Sequence, residues 1–433
     1  VRAVGDLVTR LAGWGRATAA ECTLVDTPDF GAGGGLIAHG NARSYGDCAL
    51  NGGGSVLMTG GLDRIVDFDA ASGIAQLEPG VTFRQLLETF LPQGFVAPVT
   101  PGTGFATMGG AVAHDVHGKN HEQAGSFGQH VVSLDLRTPD GAMHTLGPDD
   151  DLFRATVGGI GLTGIITRIA LRMQRVAGPA MRVRSQPCGD LDALLAAMAD
   201  ASGATHSVAW IDGTATGRRL GRGILETAEP GAADERPAPP GRRITVPFDF
   251  PSWALNALSV RAFNEAYFRR VPRSGRTDVL HIAKFLYPLD SLWHWNRIYG
   301  RRGFYQFQCV LPFETAAQGL RDLLEMVARS RRASFLSVLK RMGPGRAGYL
   351  SFPRPGLTLA LDFPARAGME AFYAQMVERV LHYGGRIYLA KDALLTADAF
   401  AGMYPEWPAC RAVLERVDPN GLMQSDMRRR LGL

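Results

Sequence analysis

The 433-residue sequence has a formal net charge of +5, with 46% hydrophobic and 20% charged residues. That apolar content excludes wholesale disorder, the 53 glycines follow no collagen-like period, and the mild positive excess is far from a nucleic-acid footprint. A chain this long is expected to form two or three domains that bury roughly three quarters of the unfolded surface.

No run of about 18 uncharged apolar residues occurs, so no transmembrane helix is expected. The opening stretch carries Asp6 and lacks the apolar run of a signal peptide. Five cysteines (Cys22, Cys48, Cys188, Cys309, Cys410) are scattered without a CxxC, so neither a disulfide framework nor a zinc site is expected.

In chain order, Ser55 to Thr59, Ile65 to Asp69 and Ile74 to Glu78 are short β-rich runs parted by Gly, Asp and Ser, and read as strands. Phe83 to Leu91 has helical apolar spacing, with Thr82 as its N-cap. Val131 to Leu136, His144 to Leu146 and Thr163 to Met173 read as strands again. Irregular interspersion of strands and helices predicts an α+β fold. After about residue 176 glycine thins and Arg, Trp, Tyr and Phe rise. Thr227 to Arg243, rich in Pro, Ala and charge, predicts a mobile loop inside a second domain. Trp253, Leu255, Leu258, Phe263, Tyr267 and Phe268 beside Arg269, Arg270, Arg273 and Arg276 read as an amphipathic helix with a solvated basic turn, or as a surface for lipid or phosphate. Tyr305 to Leu311 and Leu357 to Phe363 are expected strands flooring that domain.

Gly159-Ile-Gly161-Leu-Thr-Gly164 fits GxGxxG, but a strand-like run follows it and no acidic ribose partner lies downstream, so a dinucleotide crossover is not expected. His114, His117 and His121 fall within eight residues, yet Gly118 breaks any helical ligand face, and no metal is expected. No GxSxG occurs. Two glycine loops, Gly40 to Asp47 and Pro101 to Gly110, are backed by His114 to His121. Bare backbone lets successive N–H groups converge on an anion, so together they predict a phosphate-binding cradle.

GNARSYGD, TPGTGFATMGGAVAHDVHGKNHEQAGSFG and ATVGGIGLTGII together resemble the decaprenylphosphoryl-β-D-ribose 2-oxidase family of the vanillyl-alcohol-oxidase superfamily. The likeness runs on through Ala209–Asp212, Phe285–Asp290, Gly303–Gln308, Ala333–Lys340, Gly384–Asp392 and Ser425–Leu431. It implies a two-part FAD-binding domain, residues 1–176 rejoined by 385–433, around a substrate domain (177–384) built on an antiparallel sheet.

The implied cofactor is non-covalent FAD, held by Gly40, Asn41, Arg43, Ser44, Tyr45, Gly46, Gly102, Thr103, Thr107, Gly109, Gly110, His114, His117, Gly118, Ile165 and Tyr388. The implied reaction is oxidation of the 2-hydroxyl of a polyprenylphosphoryl pentose to a keto sugar by hydride transfer to flavin N5. By resemblance Lys391 stabilises charge on the reduced flavin, and Tyr45 or His117 activates the hydroxyl, the base being left open. Gln308, Lys340, Gln306 and Trp210 would bind substrate; Tyr287 and Asp362 match by motif.

Where the family has a pocket cysteine that some inhibitors attack, this chain has Ala360, and a neighbouring asparagine is Thr358. An NAD(P)H-dependent keto-sugar reductase partner, peripheral membrane contact and a cytoplasmic or cell-envelope location are the remaining implications. The rivals are an aldonolactone or other sugar-alcohol oxidase and a non-catalytic lipid-phosphate or carbohydrate binder.

Overall fold

The computed structural model describes residues 7–31, 33–332 and 335–433. Asp6, and Ala333 and Ser334 of the family-like stretch, lie outside the described residues. The fold is α+β, as expected.

In the N-terminal part, a four-stranded mixed sheet runs in the order Leu7–Ala12, Ala19–Val25, Ser55–Met58, Leu36–His39. Beside it, a five-stranded antiparallel sheet runs Ile65–Asp69, Ile74–Leu77, Ile165–Arg172, Val131–Arg137, Met143–Leu146. The helix Phe83–Phe90 starts where its cap chemistry dictates. Gln85 N donates to Thr82 Oγ1 at 3.2 Å, and Thr82 N donates to Gln85 Oε1 at 2.8 Å. Its Phe83, Leu86, Leu87 and Phe90 recur at helical spacing and enter the core. The segment after Gly164 is the strand Ile165–Arg172, so the GxGxxG stretch opens no helix.

The C-terminal two thirds is organised by an eight-stranded antiparallel sheet. Its order is Arg276–His281, Ala180–Cys188, Gly223–Pro230, His206–Ile211, Ser337–Met342, Gly356–Pro364, Phe304–Leu311, Arg386–Ile387. Strand alternation separates two chemistries. Ala209, Ile211, Phe307, Cys309, Leu339, Leu359 and Leu361 share one core with residues of the helices Leu191–Asp200, Phe313–Ser330 and Met369–His382. The intervening residues Trp210, Val338, Lys340, Gln306, Gln308 and Ala360 turn to the opposite side and wall a cavity. Cross-strand register makes them neighbours: Trp210 faces Val338, Val338 faces Ala360, and Ala360 faces Gln308.

The chain then returns to its beginning. Leu36 N donates to Leu422 O, Gln424 N to Leu36 O and Asp426 N to Leu50 O, at 2.8–2.9 Å. Arg430 is held by two buried carboxylates, Asp47 at 2.8 Å and Asp392 at 2.9 Å.

One boundary differs from expectation. Thr227–Pro230 is not loop but the end of the strand Gly223–Pro230, paired with Ala180–Cys188. Irregular chain begins at Gly231, and even there Gly231 N donates to Ala180 O while Arg182 grips Glu235 at 3.0 Å. Replacing the largely exposed residues 237–241 by a short Gly-Ser link is therefore expected to change stability by no more than about 0.5 kcal/mol, read as an unshifted thermal transition.

Candidate active site

A cavity of about 510 Å³ lies between the N-terminal loops and the polar face of the large sheet. Its floor on the N-terminal side is backbone. Ala42 sits at φ +49° in the loop Gly40 to Asp47, so successive peptides turn toward one another. Among the described residues, the N–H groups of Asn41, Ala42, Arg43 and Ser44 find no acceptor. The second loop is stiffened from across the cavity: Thr103 Oγ1 and Gly104 N both donate to Asp290 at 2.7 Å. A Cβ on Gly102 would meet nothing within 4 Å, so this loop presents bare backbone to open space.

Thr107 caps the short helix Met108–Ala113, accepting from Gly110 N at 3.3 Å. Arg43 is clamped between Trp14 (4.2 Å) and Phe105 (5.0 Å), its buried Nε without a partner. His114 Nδ1 and His117 Nδ1 are likewise buried and unpartnered. Free amides, a shielded guanidinium and orphaned ring nitrogens around one elongated cavity suit a dinucleotide with an anionic centre and a polar ring. The residues present thus fit FAD.

The cavity also gathers titratable groups. Tyr45 N donates to Ala390 O at 2.9 Å, interlocking two loops so that Lys391 Nζ stands 3.7 Å over the Tyr45 ring. Burial lowers Lys391 to about 7, Lys340 repels its charge, and Asp362 opposes both effects. Burial raises Asp362 to about 7, although Gln306 Nε2 donates to it at 2.6 Å and Tyr299 OH at 3.2 Å. Desolvation also keeps the Tyr45 phenol protonated, well above its ordinary range. His117 is held neutral by burial and by the charges of Lys340, His121 and Lys391. Its Nε2 lies 3.0 Å from Gln308 Nε2, which also donates to Thr358 Oγ1 at 3.2 Å. Further along, Lys340, lowered to about 7 by burial and by Lys119, shares the wall with Lys119 itself.

Of the residues singled out from the sequence, Gly40, Asn41, Arg43, Ser44, Tyr45, Gly102, Thr103, Thr107, Gly109, Gly110, His114, His117, Gly118, Tyr388, Lys391, Gln308, Lys340, Gln306 and Trp210 all line this cavity. Two do not. Gly46 faces away, and a Cβ there would lie 1.8 Å from Asp392 O, so its bareness serves loop packing. Ile165 turns into the hydrophobic core, leaving Gly164 and Ile166 on the cavity wall, because adjacent strand residues point to opposite faces. Gln306 spends its amide on Asp362, and Trp210 donates Nε1 to Phe335 O at 3.0 Å, so it offers the cavity a ring face. His121 accepts from Gly343 N at 3.1 Å.

Sequence reasoning missed Lys119, although it sits inside the quoted HGKNH, and Asp290, which is remote from the loop it braces. It also missed Ile160, Gly161 and Gly164. Their signal was the GxGxxG itself: it lines the cavity with left-handed backbone (Ile160 φ +51°, Gly161 φ +80°) without being a crossover motif.

Ala360 leaves the cavity without a reactive thiol. All five cysteines are buried, and Cys48, on the cavity wall, is pushed up to about 12 by burial. Burial thus keeps Cys48 in its unreactive thiol form. Iodoacetamide is expected to leave the folded protein unlabelled by mass spectrometry and to modify Ala360→Cys; alkylation of native Cys48 would contradict this.

Comparison with known proteins agrees with this geometry. Residues 32–147 match the family described as FAD binding domain, and residues 301–431 the family described as D-arabinono-1,4-lactone oxidase. The chain is 39% identical to the decaprenylphosphoryl-β-D-ribose oxidase of Mycolicibacterium smegmatis, over 98% of this chain and 97% of that one. It is 34% identical to an uncharacterised Streptomyces coelicolor protein, over 82% of this chain and 100% of the other. It is 25% identical to the L-gulono-1,4-lactone dehydrogenase of Mycobacterium tuberculosis, over 91% and 89% of the two chains. With FAD as its cofactor and oxidation as its chemistry, the chain belongs to the decaprenylphosphoryl-β-D-ribose oxidase family.

Proposed function

We propose that the protein oxidises the 2-hydroxyl of a polyprenylphosphoryl ribose to a 2-keto sugar. The residues up to about 176, rejoined by 385–433, hold the cofactor, and 177–384 hold the substrate. The observation that carries this reading is the meeting of three chemistries in one cavity. Lys391, Tyr45, His117 and Gln308 line it together with the cationic pair Lys119 and Lys340, and Leu286, Leu289, Leu292 and Trp293 supply apolar surface. A sugar, a phosphate and a prenyl chain ask for these three environments.

FAD, when bound, supplies the hydride acceptor. The chain supplies the rest. Lys391 places an ammonium beside the site of developing negative charge, which restores the proton that burial alone would loosen. Tyr45, kept protonated, donates to the reacting hydroxyl oxygen, whose proton leaves to solvent, while neutral His117, its Nε2 accepting from Gln308, presents Nδ1–H as a second donor in the cavity. Lys119 and Lys340 meet the phosphate as point charges.

The keto sugar is then a substrate for a separate NAD(P)H-dependent reductase, and a lipid-linked sugar calls for work at a membrane surface. No helix among the described residues is long and apolar enough to cross a membrane, which suits peripheral attachment.

The match of residues 301–431 to an aldonolactone oxidase family supports a second reading, oxidation of a free lactone. Anaerobic bleaching of bound FAD separates the two. Short-chain prenylphosphoryl ribose is expected to bleach it in seconds and L-gulono- or D-arabinono-lactone not at all; the reverse order would establish the second reading.

A further inference from the structure

Four cationic side chains line the cavity, Arg43, Lys119, Lys340 and Lys391, against two carboxylates, Glu226 and Asp290. Both carboxylates are already engaged. Asp290 accepts from Thr103 and Gly104 of the second glycine loop, and Glu226 accepts from Arg270 at 2.8 Å. Glu122, three residues on from Lys119, is taken by Arg341 at 2.5 Å. Among the described residues Lys119 and Lys340 therefore face one space without a salt bridge to either.

What surrounds the pair is mostly neutral or cationic. Lys119 Nζ donates to Phe285 O and lies 4.1 Å over the Phe285 ring. Lys340, on the strand Ser337–Met342, makes no hydrogen bond among the described residues and has Thr358 as its cross-strand neighbour. His117, His121 and His206, all held neutral by burial, and Lys391 face the pair from other elements. Glu226 alone opposes, acting on Lys119 from the strand Gly223–Pro230. Burial lowers Lys119 to about 8, and burial with the repulsion of Lys119 lowers Lys340 to about 7. Two ammonium groups in a shielded space without a counter-ion repel one another, so above neutral pH the pair sheds a proton.

A phosphodiester brings the missing counter-ion. It is a monoanion throughout the neutral range, because it lacks the second ionisation that a phosphomonoester shows near pH 6. The ligand itself therefore exchanges no proton on binding. An opposite charge close to an amine restores the amine's charged form. We propose that binding of a phosphodiester-linked sugar draws a proton from solvent onto the Lys119–Lys340 pair, so that the second positive charge of the site is assembled only around the anionic ligand. This rests on the prenylphosphoryl reading, since a free lactone offers the pair no charge. Lysine suits the role, because an arginine would not release its proton.

The test is calorimetric titration of the full-length, FAD-loaded protein with geranylphosphoryl 2-deoxyribose, which keeps the diester and lacks the hydroxyl that is oxidised. Tris and HEPES differ in ionisation enthalpy, so the difference in heat between them counts the protons taken up. At about pH 8.5, above both lysines, uptake of about one proton per ligand is expected. Affinity should fall roughly tenfold per pH unit above that point and stay nearly constant below about pH 6, where both amines are already charged. The neutral geranyl 2-deoxyriboside should show no uptake. In Lys340→Arg, which keeps a charge that does not titrate, the proton number should fall by roughly half or more while the diester still binds. The buffer comparison on wild type decides the matter even if that variant does not fold. Proton-free binding of the diester, equal uptake with the neutral glycoside, or an undiminished proton number in Lys340→Arg would each overturn the proposal. Proton-free binding together with FAD bleaching by prenylphosphoryl ribose would leave the substrate reading standing; no binding of the diester, with bleaching by a lactone, would remove both.

Discussion

Lys391→Met is expected to keep its bound FAD, visible as unchanged absorbance, and to oxidise substrate about a hundredfold or more slowly. Loss of one preorganised group facing developing charge typically costs that much. FAD retention is expected because the proposed cradle draws on the loops at 40–47 and 101–110, with Arg43 and His114, and Lys391 belongs to neither loop. The rate loss follows from position: Nζ is held 3.7 Å over Tyr45 by a loop whose Ala390 carbonyl accepts from Tyr45 N. Removing the ammonium also withdraws the charge that holds Asp362 down, so burial raises that carboxyl further. The variant should therefore fold normally, and the defect should appear in single-turnover reduction of FAD. An unchanged reduction rate would remove Lys391 from the chemistry.

Arg430→Met is expected to cost about 3–5 kcal/mol, because it strands two buried carboxylates that now share one guanidinium. Asp392 is fully buried and also accepts from Leu394 N and Leu395 N, while Asp47 closes the first glycine loop. Loss of the arginine should loosen the C-terminal helix Asp426–Leu431 from the N-terminal sheet and open Gly46 from Asp392 with it. The measurements are thermal unfolding and amide exchange at residues 47–50 and 392–395, the latter because a chain of this size need not unfold in one step. The sign with pH is defined. Asp47 is already raised by burial, and without Arg430 it rises further, so protonation relieves the repulsion and the deficit against wild type shrinks as pH falls. Equal stability at pH 8 would show that the bridge contributes nothing.

Much of this site is legible along the chain because its parts are local. A glycine loop declares itself by composition, and Thr82 with Gln85 declares a helix start within four residues. The α+β class follows from periodicity alone, and HGKNH and YLAKD carry the family resemblance without any knowledge of contacts. The same local view misjudged Thr227–Pro230, whose Pro-rich continuation resembles a loop while the strand Ala180–Cys188 pairs all four residues and His206–Ile211 pairs Thr227 and Ala228 from the other side.

Residues whose meaning depends on a distant partner could not be read in this way. Gly46 is set by the carbonyl of Asp392, Asp290 by the loop it braces, Gln306 by Asp362, and the lowered basicity of Lys391 and Lys340 by burial among other cations. Local propensity and spacing are written into consecutive residues. Desolvation and charge coupling exist only once segments hundreds of residues apart enclose one space, and so it was folding that turned a set of recognisable motifs into a site with defined protonation.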